Sequence, residues 1–401
     1  MPTSAQAEAP GLHRFPCPNC GATLVFAAGV DRLKCEYCGG TQEVPAQAPG
    51  RPGAGAGPVE HSLHELLSGS ASKGWGAATR TFQCGQCGAS TTLPQGQTSG
   101  KCAFCGSNVV AERAPNPDLI TPESLIPFKI PKEEAVKRFR QWLSGLWFRP
   151  NNLKHMAQVA DIQGVYTPFW TFDARASTRW SAESGYHYYE TEEYTDTDGT
   201  RRTRQVQKTR WEPSSGFHQA AYDDILICAS RGLSEGLVRQ LEPYDTRGGL
   251  VAYQPAYLAG WQAEEYALGP REAWQKGQEE FERLEYQACS AQVPGDTHRN
   301  LNISMRLEGV TWKHCLLPLW IAAYRYQGKP YRFMVNGQTG KVSGEAPLSW
   351  WKVLGCALLL AALLLLLVAL GGGLALLTGG GTSLVPGEPG WLGRVWAWPF
   401  G

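Results

Sequence analysis

The chain has 401 residues, a net charge of +1 and only 18% charged residues, so nothing global points to nucleic acid. This length calls for two or more domains. Twelve cysteines and fifteen tryptophans are the compositional outliers. No cleavable signal opens the chain, so the cysteines read as reduced thiols rather than a secreted disulfide framework.

Four knuckles come first along the chain: Cys17-Pro-Asn-Cys20-Gly, Cys35-Glu-Tyr-Cys38-Gly, Cys84-Gly-Gln-Cys87-Gly and Cys102-Ala-Phe-Cys105-Gly. Fourteen residues separate the knuckles within each pair, and the second pair follows the first at a constant offset of 67. Phe15 and Phe82, Ala22 and Ala89, Gly29 and Gly96, and Lys34 and Lys101 match at that offset, and Tyr37 corresponds to Phe104. The chain therefore holds an internal repeat of one small module. Four thiolates close a tetrahedral shell and leave no open position, as in a structural zinc site. The expected metal ligands are Cys17, Cys20, Cys35 and Cys38 for one Zn2+, and Cys84, Cys87, Cys102 and Cys105 for a second. A glycine after each second cysteine suits a knuckle that needs positive φ. Each module is too small to fold on a core alone, and metal binding in comparable peptides supplies roughly 10–16 kcal/mol. The remaining cysteines (Cys228, Cys289, Cys315, Cys356) read as small hydrophobes.

The expected layout is zinc ribbon 1 over residues 13–44, a flexible linker over 45–79 and zinc ribbon 2 over 80–113. An α+β domain with an antiparallel sheet follows over 118–347, then a transmembrane helix over 351–377 and a short tail over 378–401. The linker is rich in Pro, Gly, Ala and Ser, with one short helix near His61–Leu67. His61 and His64 read as part of a solvated helix face rather than metal ligands, since both four-cysteine shells are full. A tether of this length would let ribbon 1 range over about 30 Å.

Pro131 opens a helix expected to run to Phe148, with Glu133 and Glu134 in its first turn. Its apolar positions, Ala135, Val136, Phe139, Trp142, Leu143 and Leu146, recur at helical spacing. Gly185–Trp211 reads as a long hairpin turning on Asp198-Gly199. A two-residue loop there sets Asp196 opposite Arg201 and Glu193 opposite Arg204, which accounts for the basic run without invoking nucleic acid. Pro270–Gln292 reads as a second long helix with Glu279, Glu280, Glu282, Arg283 and Glu285 on its wet side. Strands are expected at Leu316–Tyr326 and Tyr331–Val335. The strings Pro168-Phe-Trp170 to Arg175 and Pro318-Leu-Trp320 to Arg325 share one pattern, as two related strands of one sheet would.

From Val353 to Leu377 there is no charge, and thirteen residues are leucine. Such a helix rises about 37 Å, enough to cross a bilayer core of about 30 Å. Trp350, Trp351 and Lys352 stand where interfacial anchors belong. Lys341 and Lys352 against a lone Arg394 favour a cytoplasmic N-terminal side, as do thiolate sites that need reduced cysteine. The expectation is a single-pass, tail-anchored protein whose aromatic tail residues Trp391, Trp396, Trp398 and Phe400 rest at the far interface.

Three strings carry a resemblance: Gly164-Val-Tyr-Thr-Pro-Phe-Trp-Thr-Phe-Asp-Ala174, Tyr222-Asp-Asp-Ile-Leu-Ile-Cys-Ala-Ser230 and Tyr331-Arg-Phe-Met-Val-Asn-Gly-Gln-Thr-Gly-Lys341. With the knuckles, they resemble a family of bacterial zinc-ribbon membrane proteins over roughly residues 14–350. Members are often labelled transcription-factor-IIB-type zinc-ribbon proteins, or primosomal protein N′ (replication factor Y), superfamily II helicase. The resemblance implies a place beside phage-shock-protein A and stomatin-like SPFH proteins in envelope-stress operons, and a recruiting role at the bacterial inner membrane. The doubled ribbon departs from members that carry one. The helicase label finds no support in the residues: Gly337-Gln-Thr-Gly-Lys341-Val has neither the spacing of a phosphate-cradling loop nor its hydroxyl.

The function expected is therefore that of a non-catalytic, membrane-anchored zinc-ribbon adaptor. The alternative is a tethered nucleic-acid-binding protein, but ribbon 1 is neutral and ribbon 2 only about +2, without the clustered positive face that phosphate binding needs. No catalytic constellation stands out. Asp223-Asp224 is a carboxylate pair, but adjacent strand residues are expected to point to opposite faces.

Overall fold

The computed structural model describes residues 15–45, 59–75, 81–92, 101–107, 110–114, 116–151, 153, 162–327 and 329–377. Most of the Gly/Pro/Ala-rich linker and the aromatic tail expected beyond the apolar helix lie outside the described residues. The chain divides into two units, residues 1–147 with 151–347, and residues 148–150 with 348–401.

The first unit starts with β1 (Leu24–Ala27), β2 (Arg32–Cys35) and β3 (Thr41–Glu43), which form a separate antiparallel sheet in that order. Then come β4 (His61–Ser62), α1 (Leu63–Ser68), β5 (Thr81–Cys84), β6 (Ser90–Thr92), β7 (Val110–Arg113), β8 (Ser124–Leu125) and α2 (Lys132–Gly145). Two very long strands follow, β9 (Gln163–Thr195) and β10 (Arg201–Cys228). After them come α3 (Glu235–Leu241), α4 (Thr246–Gly249), β11 (Val251–Ala252), a 3-10 turn at Pro255–Leu258, β12 (Gln262–Glu264) and α5 (Pro270–Gln292). β13 (Thr297–Tyr326), β14 (Lys329–Asn336) and β15 (Val342–Gly344) complete the unit.

Among the described residues, β4 to β15 form one twelve-stranded sheet with the central order β11-β8-β13-β9-β12-β6-β5-β7. The sheet is mixed: β12 runs parallel to β9, and β8 runs parallel to β13. The expected α+β domain with an antiparallel sheet is thus corrected to a sheet-rich body with a mixed sheet. Its spine is the antiparallel trio β10-β9-β13, with β9 flanked by β10 on one side and β13 on the other. The Pro-x-Trp strings lie on adjacent strands, with Pro318 opposite Tyr166 and Leu316 opposite Pro168. Trp170 and Trp320 are both buried, so the pattern marks core positions.

α2 packs Ala135, Phe139 and Leu143 inward, and the Phe139 ring stacks on Phe333 of β14. It ends at Gly145, before the expected Phe148. α5 crosses the β10-β9-β13 trio and buries Ala273, Trp274, Gly277, Phe281, Glu285 and Cys289. Placing Glu285 on the wet side was wrong: it lies on the same stripe as Phe281 and Cys289, four residues apart in each direction.

The hairpin also differs from its expected register. Thr195 pairs with Arg201, and Asp196 N–H donates to Thr200 O, leaving a three-residue loop with Gly199 at φ 79°. Three-residue loops with a left-handed third residue are a favoured hairpin form. The one-residue difference changes every cross-strand partner. Arg204 lies opposite Glu192 and bonds to it at 3.3 Å, Arg202 reaches Asp196, and Lys208 reaches Glu190 and Glu192.

The second unit is one helix, α6 (Trp350–Leu377), with the short segment 148–150 beside its first turn. Its stretch Trp350–Leu367 is long and apolar enough to cross a membrane, and none of that window is buried.

Candidate metal centres

The four knuckles fold alike. In each, the N–H of the following glycine donates to the carbonyl of the first cysteine, at 2.8 Å for Gly21 to Cys17, 3.0 Å for Gly39 to Cys35, 2.9 Å for Gly88 to Cys84 and 2.8 Å for Gly106 to Cys102. The first cysteine's own N–H donates five residues ahead, to Ala22, Gly40, Ala89 and Ser107. All four glycines have φ between 67° and 76°, which a side chain would resist. The repeat read from spacing is therefore a repeat of backbone geometry.

The knuckles then meet in pairs. In ribbon 1, Cys17 and Cys38 Sγ are 3.5 Å apart, and Cys20 and Cys35 Sγ are 3.6 Å apart. In ribbon 2 the equivalent distances are 3.5 Å for Cys84 to Cys105 and 3.6 Å for Cys87 to Cys102. Within each cluster all four sulfurs lie within 4.8 Å of one another. No disulfide forms. Tetrahedral Zn–S bonds of about 2.3 Å would place sulfurs about 3.8 Å apart, close to what is seen. The two clusters could bind metal ions, and the eight residues brought together are the eight expected. Each cluster also holds a thiol disposed to ionise. The Cys38 N–H draws the Cys35 thiol down to about 7, and a hydrogen bond from Cys102 draws Cys87 down to about 5.

What surrounds the clusters differs from a ribbon on a leash. Ribbon 1 lies on the body: Phe26 N–H donates to Ala259 O, Trp261 Nε1 donates to Phe26 O, and Gly29 N–H donates to Phe128 O. Ribbon 2 merges with the body, because β5 and β6 continue the main sheet through β12. Part of the linker is docked too. Leu66 of α1 is buried, and Trp312 Nε1 donates to Ser62 O. His61 is not on a solvated face: it bonds Glu65 at 2.9 Å and Glu123 at 3.2 Å, and its ring packs on Trp312.

Two further groups gather possible ligands. His218, Glu285 and Cys289 lie together between β10 and α5. Here the carboxylate is already satisfied, by Tyr222 Oη at 2.6 Å and His218 Nδ1 at 2.9 Å. Burial alone would raise Glu285, but the neighbouring Thr178 hydroxyl and the hydrogen bonds from Tyr222 and His218 hold it low. The group reads as a polar latch between helix and sheet.

Asp173, Asp223 and Asp224 are brought within 4.8 Å of one another by a bulge at Tyr222/Ile225, against the alternation expected of a regular strand. Cations answer them. Arg247 pairs with Asp223 at 2.7 Å, and the buried Lys313 pairs with Asp224 at 2.8 Å and with Glu60 at 3.2 Å. Burial would lower Lys313, yet the Asp224 carboxylate raises it, so it stays charged. The sequence signal for this group was Lys313, set just ahead of the apolar run Cys315–Ala323 of the same strand.

Against known proteins, no family model matches the chain, and no solved structure matches it. The chain is similar to a protein of Bacillus subtilis (strain 168) described as uncharacterized protein YdjG, at 28% identity over 343 residues, 84% of this chain and 91% of that protein.

Proposed function

We propose that the chain is a non-catalytic, membrane-anchored adaptor that holds protein partners beside the bacterial inner membrane, its two four-cysteine ribbons filled by structural zinc. The observation that carries this reading is the β9–β10 arm. β13 stops pairing with β9 at Gly185, while the hairpin runs ten residues further to Thr195, about 33 Å. Tyr188, Tyr189 and Tyr194 are exposed along it. Aromatic side chains of this kind are enriched at protein interfaces. A two-stranded hairpin is marginal alone, and this one is braced by its ion pairs.

Closed four-thiolate shells favour support over chemistry. The charge bias at Lys341 and Lys352, with the need for reduced thiols, favours a cytoplasmic body. Partners of the phage-shock-protein A or SPFH kind rest on the resemblance alone. The nucleic-acid alternative gains nothing on ribbon 1, where Arg32 is paired with Glu43.

A pull-down from detergent-solubilised membranes tests the adaptor reading. The wild-type chain should retain a partner that the Tyr188→Ser/Tyr189→Ser variant loses. Identical partner sets for the two proteins would sink it.

A further inference from the structure

The first turn of α6 carries a piece of chain from far away in sequence. Ser349 N–H donates to Phe148 O at 2.7 Å, and Lys352 Nζ donates to Arg149 O at 2.9 Å. Residues 148–150 are thereby clipped to the helix start. Ser349 to Lys352 spans about 4.5 Å of helix rise, the thickness of a boundary layer rather than of a bilayer. Phe148 therefore sits at the level of Trp350 and Trp351.

These side chains are not buried. Trp350 is 76% exposed, Trp351 83% and Phe148 40%. Exposed aromatics of this size forgo the burial that large apolar side chains ordinarily gain. Amphipathic rings at the end of an apolar helix belong in the headgroup region. Lysine on the same turn, with its ammonium drawn onto a carbonyl, suits that depth.

We infer that the segment Phe148–Pro150 is a second interfacial anchor, lying in the headgroup layer of the bilayer that α6 crosses. The inference rests on the reading of α6 as a membrane span. Its partner is lipid, and two passages of chain, not one, meet the boundary layer.

Photocrosslinking of the full-length protein in vesicles of phosphatidylethanolamine and phosphatidylglycerol tests it. The photoreactive residue p-benzoylphenylalanine is placed in turn at Phe148, at Leu360 within α6 and at Tyr189 on the arm. The inference expects a mass shift of one phospholipid at 148 and 360, and none at 189. A lipid adduct at 360 with none at 148, or with a protein adduct there, overturns the second anchor and leaves the span intact. No adduct at 360 overturns the span, and with it the anchor as stated. Equal lipid adducts at 189 and 148 also overturn it, since the clip would then be no more lipid-facing than the arm.

Discussion

The two ribbons are the same module put to different uses. Their knuckles superimpose in hydrogen bonding, and their sulfurs meet at the same distances. Yet Tyr37 of ribbon 1 is 88% exposed, whereas Phe104, its counterpart 67 residues on, is fully buried. Phe104 packs in the core with Ala89, Ile126, Leu237 and Val238. Ribbon 1 keeps its own small sheet and core, touching the body mainly through Ala256, Tyr257, Ala259 and Trp261. A four-cysteine site fixes a loop wherever it stands. What lies beside it decides whether that loop is a keystone or an attachment.

The comparison is broken most easily by removing metal ligands. Cys105→Ser should cost ribbon 2 its metal, worth roughly 10–16 kcal/mol in small zinc peptides, and should abolish the cooperative unfolding of the body. Cys17→Ser should lower the metal content as far but leave that transition in place. Near-UV circular dichroism with metal analysis reads both. Equal damage from the two variants would make the ribbons equivalent. One step smaller, Phe104→Ala should destabilise by about 3–5 kcal/mol. Tyr37→Ala should stay within about 0.5 kcal/mol, as exposed substitutions do. Denaturant midpoints check the pair.

The two four-cysteine clusters were legible because the spacing of candidate metal ligands is local and strict. The long helix Pro270–Gln292 and the apolar C-terminal helix were legible too, one from its proline start and the other from composition. The embedding of ribbon 2 was not, since nothing in β6 (Ser90–Thr92) names β12 as its partner. Pairing between strands 171 residues apart is settled by tertiary packing, not by local pattern. The hairpin register failed for a narrower reason: Asp198-Gly199 signals a turn, but two- and three-residue loops share that signal. Glu285 was misplaced because a charge was read as exposure, although its position on the Phe281–Cys289 stripe pointed inward.

The seam under ribbon 2 also carries a pH signature. Glu264 sits at the end of β12, opposite Thr91, and accepts a hydrogen bond from Ser230 Oγ at 2.7 Å. Burial pushes its carboxyl up to about 8. The folded protein therefore keeps a proton that the unfolded chain, titrating near ~4.3, has released. Between those values stability falls as pH rises, and the loss is complete above the folded value. Glu264→Gln should remove this slope, with a gain over wild type roughly 3–4 kcal/mol larger at pH 8 than at pH 5. Thermal melts of both proteins at the two pH values decide it, and a gain independent of pH would show that Glu264 is ionised in the fold.

A small and local effect is expected at ribbon 1's attachment. Trp261 stacks on Phe128 with centroids 4.1 Å apart, and only its indole N–H bonds the ribbon, at Phe26 O. Trp261→Phe keeps a ring for the stack and deletes the bond, at a cost of about 1 kcal/mol. If ribbon 1 is an attachment, that loss should appear locally, as faster amide exchange in residues 24–35 with residues 81–92 unchanged. Exchange rising equally in both segments would mean that ribbon 1, like ribbon 2, is part of the cooperative body, and that Tyr37 is exposed without its module being separable.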